Sequence, residues 1–149
     1  MGRKIAGVLV GYLAMAILVF VCFTVLYLIL GAEGSFQEGS YIVSSVWIIF
    51  SFIIGLAAAV VGGFVCTLIA KDQTPSQILA VVVLILGIVL AIPAMNLPDD
   101  VKNKVREGSV GNMQAMQDAQ QPMISLILNP ILGATGVFVG GRLKKKKGQ

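Results

Sequence analysis

The sequence predicts an all-α integral membrane protein in which four transmembrane helices form an antiparallel bundle. Hydrophobic residues make up 57% of the 149 residues and charged residues only 12%, against about 25% in soluble domains. The apolar residues come in long blocks, and a helix of about 20 residues is enough to cross a bilayer core. Basic residues gather at the ends of these blocks, as they do where they orient membrane helices. We therefore expect residues 1–149 to form a single transmembrane domain, with helices at about 5–30, 41–70, 75–95 and 122–141.

The first predicted helix, residues 5–30, begins directly after the basic residues Arg3 and Lys4. Its apolar run is much longer than the roughly 7–15 residues of a signal-peptide core, so we expect a retained anchor helix. Gly7 and Gly11 are four residues apart and lie on one side of this helix. Such a pair allows a second helix to approach closely, so we predict that both glycines mediate helix packing.

The second predicted helix, residues 41–70, has no charged residue, and we expect the other helices to pack around it. Small residues recur along it at steps of three, four and seven, which places them on one side of a helix with about 3.6 residues per turn. A smooth side of this kind lets another backbone come close. The packing residues predicted on this helix are Ser51, Gly55, Ala58 and Gly62.

The third predicted helix, residues 75–95, follows a turn of only a few residues, so we expect it to lie beside the second helix. Pro75 suits the first turn of a helix, because an N–H at that position would have no partner in the helix. Gly87 is the predicted packing residue of this helix. The next segment, residues 97–121, is expected to form an extracytoplasmic loop that contains short helical segments.

The fourth predicted helix, residues 122–141, contains Asn129-Pro130 within its apolar span. Proline removes a backbone donor and disturbs the preceding turn, so we expect a break in this helix. We interpret Asn129, Pro130 and Thr135 as a candidate polar site in the membrane. The alternative is a packing kink in which the asparagine satisfies the freed carbonyl. The packing residues predicted on this helix are Gly133, Gly136 and Gly140.

The distribution of charge predicts the orientation of the chain. With the N-terminus on the cytoplasmic side, eight basic residues fall on that side and three on the other, whereas six of the seven acidic residues fall outside. Because basic residues favour the cytoplasmic side, both termini are predicted to be cytoplasmic. We expect the basic tail, residues 142–149, to contact anionic lipid. The residues predicted for this contact are Arg142, Lys144, Lys145, Lys146 and Lys147.

The sequence carries no set of residues suited to catalysis. It has no histidine, which excludes histidine-ligated haem and histidine-based acid–base chemistry. Ionisable residues within membrane spans are the usual mark of an ion or proton path. The four predicted spans contain no Asp, Glu, Lys or Arg. Cys22 and Cys66 lack a CxxC spacing, and we interpret them as packing residues. We therefore predict a protein that is not an enzyme and has no catalytic residue, metal site, cofactor or nucleic-acid partner.

These exclusions predict a small multipass membrane protein that acts as an interaction, assembly or accessory subunit through its glycine and alanine helix faces. The alternative is a small oligomeric channel or carrier for neutral or apolar solutes, which uses the helix break at Asn129-Pro130. The expected partners are the lipid bilayer and either a second copy of the chain or a larger membrane complex. The expected location is a cell membrane of the bacterial inner-membrane type.

Overall fold

The structure, a computed structural model, describes residues 2–143, and within these residues the protein is all-helical, without β-strands. The helices are α1 (Gly2–Ser35), α2 (Ser45–Ala70), α3 (Thr74–Met95), α4 (Asp99–Lys102), α5 (Asn112–Asp118) and α6 (Met123–Leu143). Four of them, α1, α2, α3 and α6, are long and apolar enough to cross a membrane. The predictions of an all-α fold and of a multipass membrane protein are thereby confirmed.

The four long helices are arranged so that α2 lies between α1 and α6, while α3 packs mainly against α6. α1 and α3 share a smaller contact, in which Leu79 of α3 lies against Gly11 of α1. The short turn predicts that α3 lies beside α2, and the contact between these two helices is also small. The reason lies in α6, whose small residues and Pro130 fit the side of α3 that contains Gly87.

The end of α1 and the start of α2 differ from the sequence prediction. α1 continues to Ser35, past its predicted end, although Gly31 adopts φ 64° and ψ −174° and kinks it. α2 begins later than predicted because Ser44 is its N-cap, and Ser44 Oγ accepts a hydrogen bond from the N–H of Trp47 at 3.1 Å. The same hydroxyl donates to the carbonyl oxygen of Gly34 at 2.6 Å, which holds the start of α2 against the end of α1.

Residues 32–44 and 97–121 fold together over one end of the bundle, and we call them the cap. Isolated β-bridges connect its parts: Phe36 with Val43, Ser40 with Val105, and Ile42 with Gln120. A buried cluster joins the cap to α1, and its members are Tyr27, Ala32, Phe36, Tyr41, Val43 and Ala115. The segment 97–121 is therefore a packed part of the fold. We call the opposite end of the bundle, which contains the α2–α3 turn, the turn end.

α6 runs as one helix from Met123 to Leu143, so the predicted break at Asn129-Pro130 does not occur. Pro130 lacks the N–H that would bond the carbonyl of Leu126, but its ring is buried against Gly87 of α3. Proline is tolerated in a membrane helix where neighbouring groups compensate for the lost bond. In this chain Pro130 therefore serves as a contact between two helices.

Candidate functional site

The closest approach of α1 and α2 lies at three of the predicted packing glycines. A Cβ added at Gly7 would lie 2.8 Å from the carbonyl oxygen of Cys66, and one added at Gly11 would lie 2.8 Å from that of Gly62. One added at Gly62 would lie 2.9 Å from the carbonyl oxygen of Gly11. Real Cβ atoms essentially never lie under 3.0 Å from such atoms. Any larger residue would therefore push the two backbones apart.

α2 and α6 come closer still, through two matched contacts. A Cβ added at Gly63 would collide with the carbonyl oxygen of Val137, and one added at Gly140 would collide with that of Val60. The two contacts are reciprocal, because each valine lies one helical turn before the glycine of its own helix. Gly136 completes this interface, since its added Cβ would lie 2.7 Å from the nearest α2 side chain.

Gly63 and Gly141 are packing residues that the small-residue pattern of the sequence did not predict. Each directly follows a predicted packing glycine, and successive residues of a helix point about 100° apart. A Gly-Gly pair can therefore serve two neighbours: Gly62 meets α1, and Gly63 meets α6. A Cβ added at Gly141 would likewise collide with the side chain of Ser76 in α3. The doubled glycines were the signal that could have predicted these contacts.

α3 and α6 also meet through predicted residues. A Cβ added at Gly87 would lie 2.7 Å from Cγ of Pro130, and one added at Gly133 would lie 3.0 Å from Cγ1 of Val83. The proline ring thus occupies the space that a side chain at position 87 would need. This contact holds the middle of α3 against α6 and fixes the position of the neighbouring Asn129.

The predicted stripe on α2 is used only in part. Ser51 and Ala58 are buried, and the hydroxyl of Ser51 donates to the carbonyl oxygen of Trp47 in its own helix at 2.7 Å. Gly55 lies between them, but a Cβ added there would meet nothing within 4 Å. Within residues 2–143, Gly55 therefore packs against no other helix, contrary to the prediction. It lies about two turns from the close contacts of Gly62, and the space directly beside it is open.

The three residues of the candidate polar site do not form one site. Asn129 donates from Nδ2 to Oε1 of Gln121 at 3.1 Å, and Pro130 lies against α3. Thr135 instead donates from its hydroxyl to the carbonyl oxygen of Ile131 in its own helix at 2.8 Å. It lines a separate cavity of about 290 Å³. Since its hydroxyl is bonded within its own helix, Thr135 needs no polar partner from another helix.

A cavity of about 300 Å³ lies between α3 and α6 beside Asn129, and we call it the amide cavity. The residues that line it are Val83, Gly87, Leu90, Ala91, Gln121, Leu126, Asn129 and Pro130. None of these residues is charged, and Gln121 and Asn129 provide the polar side chains. The amide cavity is thus an apolar groove with one polar wall, which consists of two hydrogen-bonded amides.

A buried arginine organises the cap. The side chain of Arg106 is only 2% exposed, and it donates to Oε1 of Glu33 at 2.9 Å. It also donates to the carbonyl oxygens of Gly108 at 2.7 Å and of Ser40 at 3.3 Å. A buried cation is tolerated only with partners of this kind. The sequence did not single out Arg106, because it stands among other charged residues and only the folded chain buries it.

Two further contacts hold the cap together. Nζ of Lys104 lies 2.5 Å from Oδ2 of Asp118 and 5.3 Å from the ring centroid of Tyr41. The hydrogen bond to Asp118 raises the pKa of Lys104. The hydroxyl of Tyr27 in α1 donates to the carbonyl oxygen of Val110 at 2.5 Å. These bonds connect the segment 97–121 both to itself and to the bundle.

At the turn end, an ion pair joins α1 to the α2–α3 turn, with Nζ of Lys4 2.6 Å from Oδ2 of Asp72. This bond, together with the backbone N–H of Thr74, lowers the pKa of Asp72 from 3.8 to about 2. The guanidinium carbon of Arg142 lies 4.0 Å from the ring centroid of Phe138 in the same helix, a cation–π contact. The other residues predicted to contact lipid, Lys144–Lys147, lie outside the described residues.

Among residues 2–143, no three His, Cys, Asp or Glu side chains are grouped so that they could hold a metal ion. No protein-family model, curated protein or solved structure matches the chain. The fold defines a small membrane protein with four helices that are able to span the bilayer. Its candidate functional features are the open side of α2 at Gly55 and the amide cavity between α3 and α6.

Proposed function

We propose that the protein is a non-enzymatic membrane subunit that assembles with a second copy of itself or within a larger membrane complex. The observation that carries this proposal is the open space at Gly55. Every other glycine predicted to mediate packing has another helix of the same chain within contact distance. Gly55 has the same chemistry and lacks such a neighbour, so it is available to a helix from outside the chain.

The physical basis is the way in which helices associate in lipid. Lipid tails are as apolar as leucine, so helices associate through close van der Waals packing and small residues at their contacts. A Cβ added at Gly55 would have open space around it, so this glycine leaves a depression on α2. A helix with its own small residues would fit this depression. We propose that a second copy of the chain provides it.

Replacement of Gly55 by leucine tests the proposal. The leucine side chain would fill the depression and prevent the approach of a second helix, while in the monomer its Cβ would meet nothing within 4 Å. We expect the cross-linked dimer to fall severalfold in native membranes. Ala57→Leu is the matched control, because Ala57 is exposed and points to another side of α2. An unchanged dimer fraction in Gly55→Leu, or a wild-type protein that is only monomeric, would contradict the proposal.

The proposal includes an orientation: an antiparallel bundle in a cell membrane of the bacterial inner-membrane type, with both termini cytoplasmic. Contacts near the two ends of α1 support the antiparallel arrangement of α1 and α2. Gly7, near the start of α1, meets Cys66 near the end of α2. Phe23, later in α1, lies against Trp47 near the start of α2, with ring centroids 5.5 Å apart. The excess of basic residues at the turn end supports the cytoplasmic side for that end.

A second candidate function is an oligomeric channel or carrier for neutral or apolar solutes, and the amide cavity favours it. An uncharged polar wall inside an apolar groove suits a neutral solute better than an ion. We expect Asn129→Leu to abolish flux of such a solute in vesicles, while Thr135→Val should leave it unchanged. Equal flux in wild type and Asn129→Leu would exclude the amide cavity as the route.

A further inference from the structure

We propose that the amide cavity is a lipid site that binds the glycerol end of a neutral glyceride, a lipid with a free hydroxyl group beside an ester carbonyl. This inference goes beyond the assembly role and does not depend on it. It rests on the hydrogen-bonding groups of the amide cavity, its lack of charge, its depth and its size.

The hydrogen-bonding groups come from Asn129 and Gln121. Their mutual bond uses one donor of Asn129 and the acceptor of Gln121. Oδ1 of Asn129 and Nε2 of Gln121 have no other partner in the part of the chain that the structure describes. Both atoms can be reached from outside the chain, because the bond between the two amides is exposed. The cavity therefore favours an occupant that offers both a donor and an acceptor, as the hydroxyl and ester groups of a glyceride do.

The charge of the cavity distinguishes among lipid classes. Recognition of a phosphate group relies on Arg or Lys, and none of the residues that line the amide cavity is charged. A phospholipid headgroup would therefore find no counter-charge there. A quinone head carries only acceptors and would leave Oδ1 of Asn129 without a partner. A neutral glyceride satisfies both amides.

The depth of the cavity matches the position of a glycerol group in a bilayer. Gln121 lies just before the start of α6 at Met123. Asn129 lies six residues into α6, which is about 9 Å at 1.5 Å per residue. In a bilayer crossed by α6, the polar wall would lie at the boundary between the headgroups and the hydrocarbon core, where the ester groups of a lipid are found. The apolar side chains of Val83 and Leu90 can then contact the first part of an acyl chain.

The size of the cavity is consistent with this occupant. A volume of about 300 Å³ is far above the roughly 10–15 Å³ that a site for one water molecule needs. This is enough for a glycerol group and the first methylenes of its chains, but not for whole acyl chains. The rest of the lipid would extend into the bilayer. The contact of Gly87 with Pro130 forms one wall and does not need to move.

The experiment uses the full chain in nanodiscs and a diacylglycerol that carries a photoreactive group near its glycerol end. We expect the probe to label residues near 121–130. Asn129→Leu should weaken labelling about tenfold, because one hydrogen bond corresponds to roughly that factor. Thr135→Val is the matched control on the same helix and should label as the wild type does. Gln121→Leu, a change at an exposed residue before α6, should also weaken labelling and provides the test if Asn129→Leu does not fold.

The competition experiments distinguish the sources of the glycerol group. Unlabelled diacylglycerol should displace the probe, whereas phosphatidylcholine and free glycerol should not. Displacement by free glycerol at equal concentration would assign the cavity to a soluble polyol and overturn the lipid proposal. Equal labelling of wild type, Asn129→Leu and Gln121→Leu would overturn it as well. The dimer fraction of Gly55→Leu is an independent readout, so the failure of one proposal can be told from the failure of the other.

Discussion

Gly63 and Gly140 show how single residues determine the packing of this protein. Each lies against a backbone carbonyl of the opposite helix, at a distance that excludes a side chain. Because no Asp, Glu, Lys or Arg is present in the predicted spans, the long helices depend on shape for their mutual contacts. The addition of one methyl group at these positions is therefore expected to lower the stability of the fold more than most changes of a large side chain that faces lipid.

We predict that Gly63→Ala destabilises the protein. The new methyl group would collide with the backbone of Val137, and overpacking of this kind costs about 1–3 kcal/mol. The measurement is the free energy of unfolding in mixed micelles of increasing denaturing detergent. Gly55→Ala is the matched control on the same helix, because its methyl group meets nothing within 4 Å. Similar stabilities of the two variants would contradict the interface between α2 and α6.

A second prediction at the residue scale concerns the ion pair between Lys4 and Asp72. The bond from Lys4 lowers the pKa of Asp72 from 3.8 to about 2. A carboxyl with a lowered pKa stabilises the folded state above its ordinary pKa and loses this effect as the pH falls through the lowered value. We therefore expect Asp72→Asn to lower the thermal midpoint at pH 6, and the difference from wild type to disappear between about pH 4 and pH 2.

The background Lys4→Met provides the control for this prediction. Without Lys4, the main cause of the lowered pKa is absent, so Asp72→Asn should have a smaller effect at pH 6. A difference between wild type and Asp72→Asn that persists unchanged down to pH 2 would show that the ion pair does not stabilise the turn end. The side chains of Lys4 and Asp72 are 54% and 36% exposed, so solvent screens the pair and the expected shift is small.

At the scale of secondary structure elements, the cap is the part that the long helices do not determine by themselves. α4 and α5 are short, and helices of this length are not stable alone. They are held by the buried cluster around Tyr41 and by the bonds of Arg106. The cap is therefore stabilised by side chains from distant parts of the chain.

We predict that Arg106→Met loosens the cap and leaves the helix bundle intact. The change removes the charged donor for two carbonyl oxygens, those of Ser40 and Gly108, and a hydrogen bond to a charged group contributes about 1.5–3 kcal/mol. Hydrogen exchange should become faster in residues 32–44 and 97–121 and stay slow in α2 and α6. Glu33→Gln is the control and should change exchange less, since Glu33 is 78% exposed and both carbonyl partners of Arg106 remain. Unchanged exchange in the cap of Arg106→Met would refute this role.

At the scale of the whole molecule, the order of the long helices in space is α1, α2, α6 and α3. α2 and α6 form the centre. The long helix that precedes each of them in the chain, α1 for α2 and α3 for α6, packs on its outer side. The reciprocal contacts of Gly63 and Gly140 give this centre an approximate twofold relation. The open side of α2 at Gly55 and the amide cavity lie in different parts of this arrangement, so assembly and lipid binding can be tested independently.

The proposed orientation of the whole molecule predicts which positions are accessible from outside the cell. In a chain with Cys22 and Cys66 replaced by alanine, Asp100→Cys in the cap should react with a membrane-impermeant maleimide in intact cells. Gly2→Cys has free space around it and should react only after the membrane is permeabilised. The opposite pattern would mean that the termini are extracytoplasmic.

Much of the architecture could be predicted from sequence because long apolar blocks have few options in lipid. A backbone within the bilayer must satisfy its own hydrogen bonds, so each block becomes a helix. The start of α2 was less predictable, because Ser44 acts as its cap through a bond with Gly34 that only the folded loop provides. The break expected at Pro130 was wrong for a similar reason: the ring fits against Gly87 of another helix, and α6 continues.

The sequence by itself determined the number of long helices and the side of each helix that small residues occupy, since both follow from local composition and helical periodicity. Only the tertiary structure decided which glycines have neighbours. Gly62 and Gly63 contact two different helices, whereas Gly55 on the same helix contacts neither. It also decided that Arg106 is buried and that Asn129 shares a cavity with Gln121. These features depend on the relative placement of segments far apart in the chain, which periodicity within one segment does not encode.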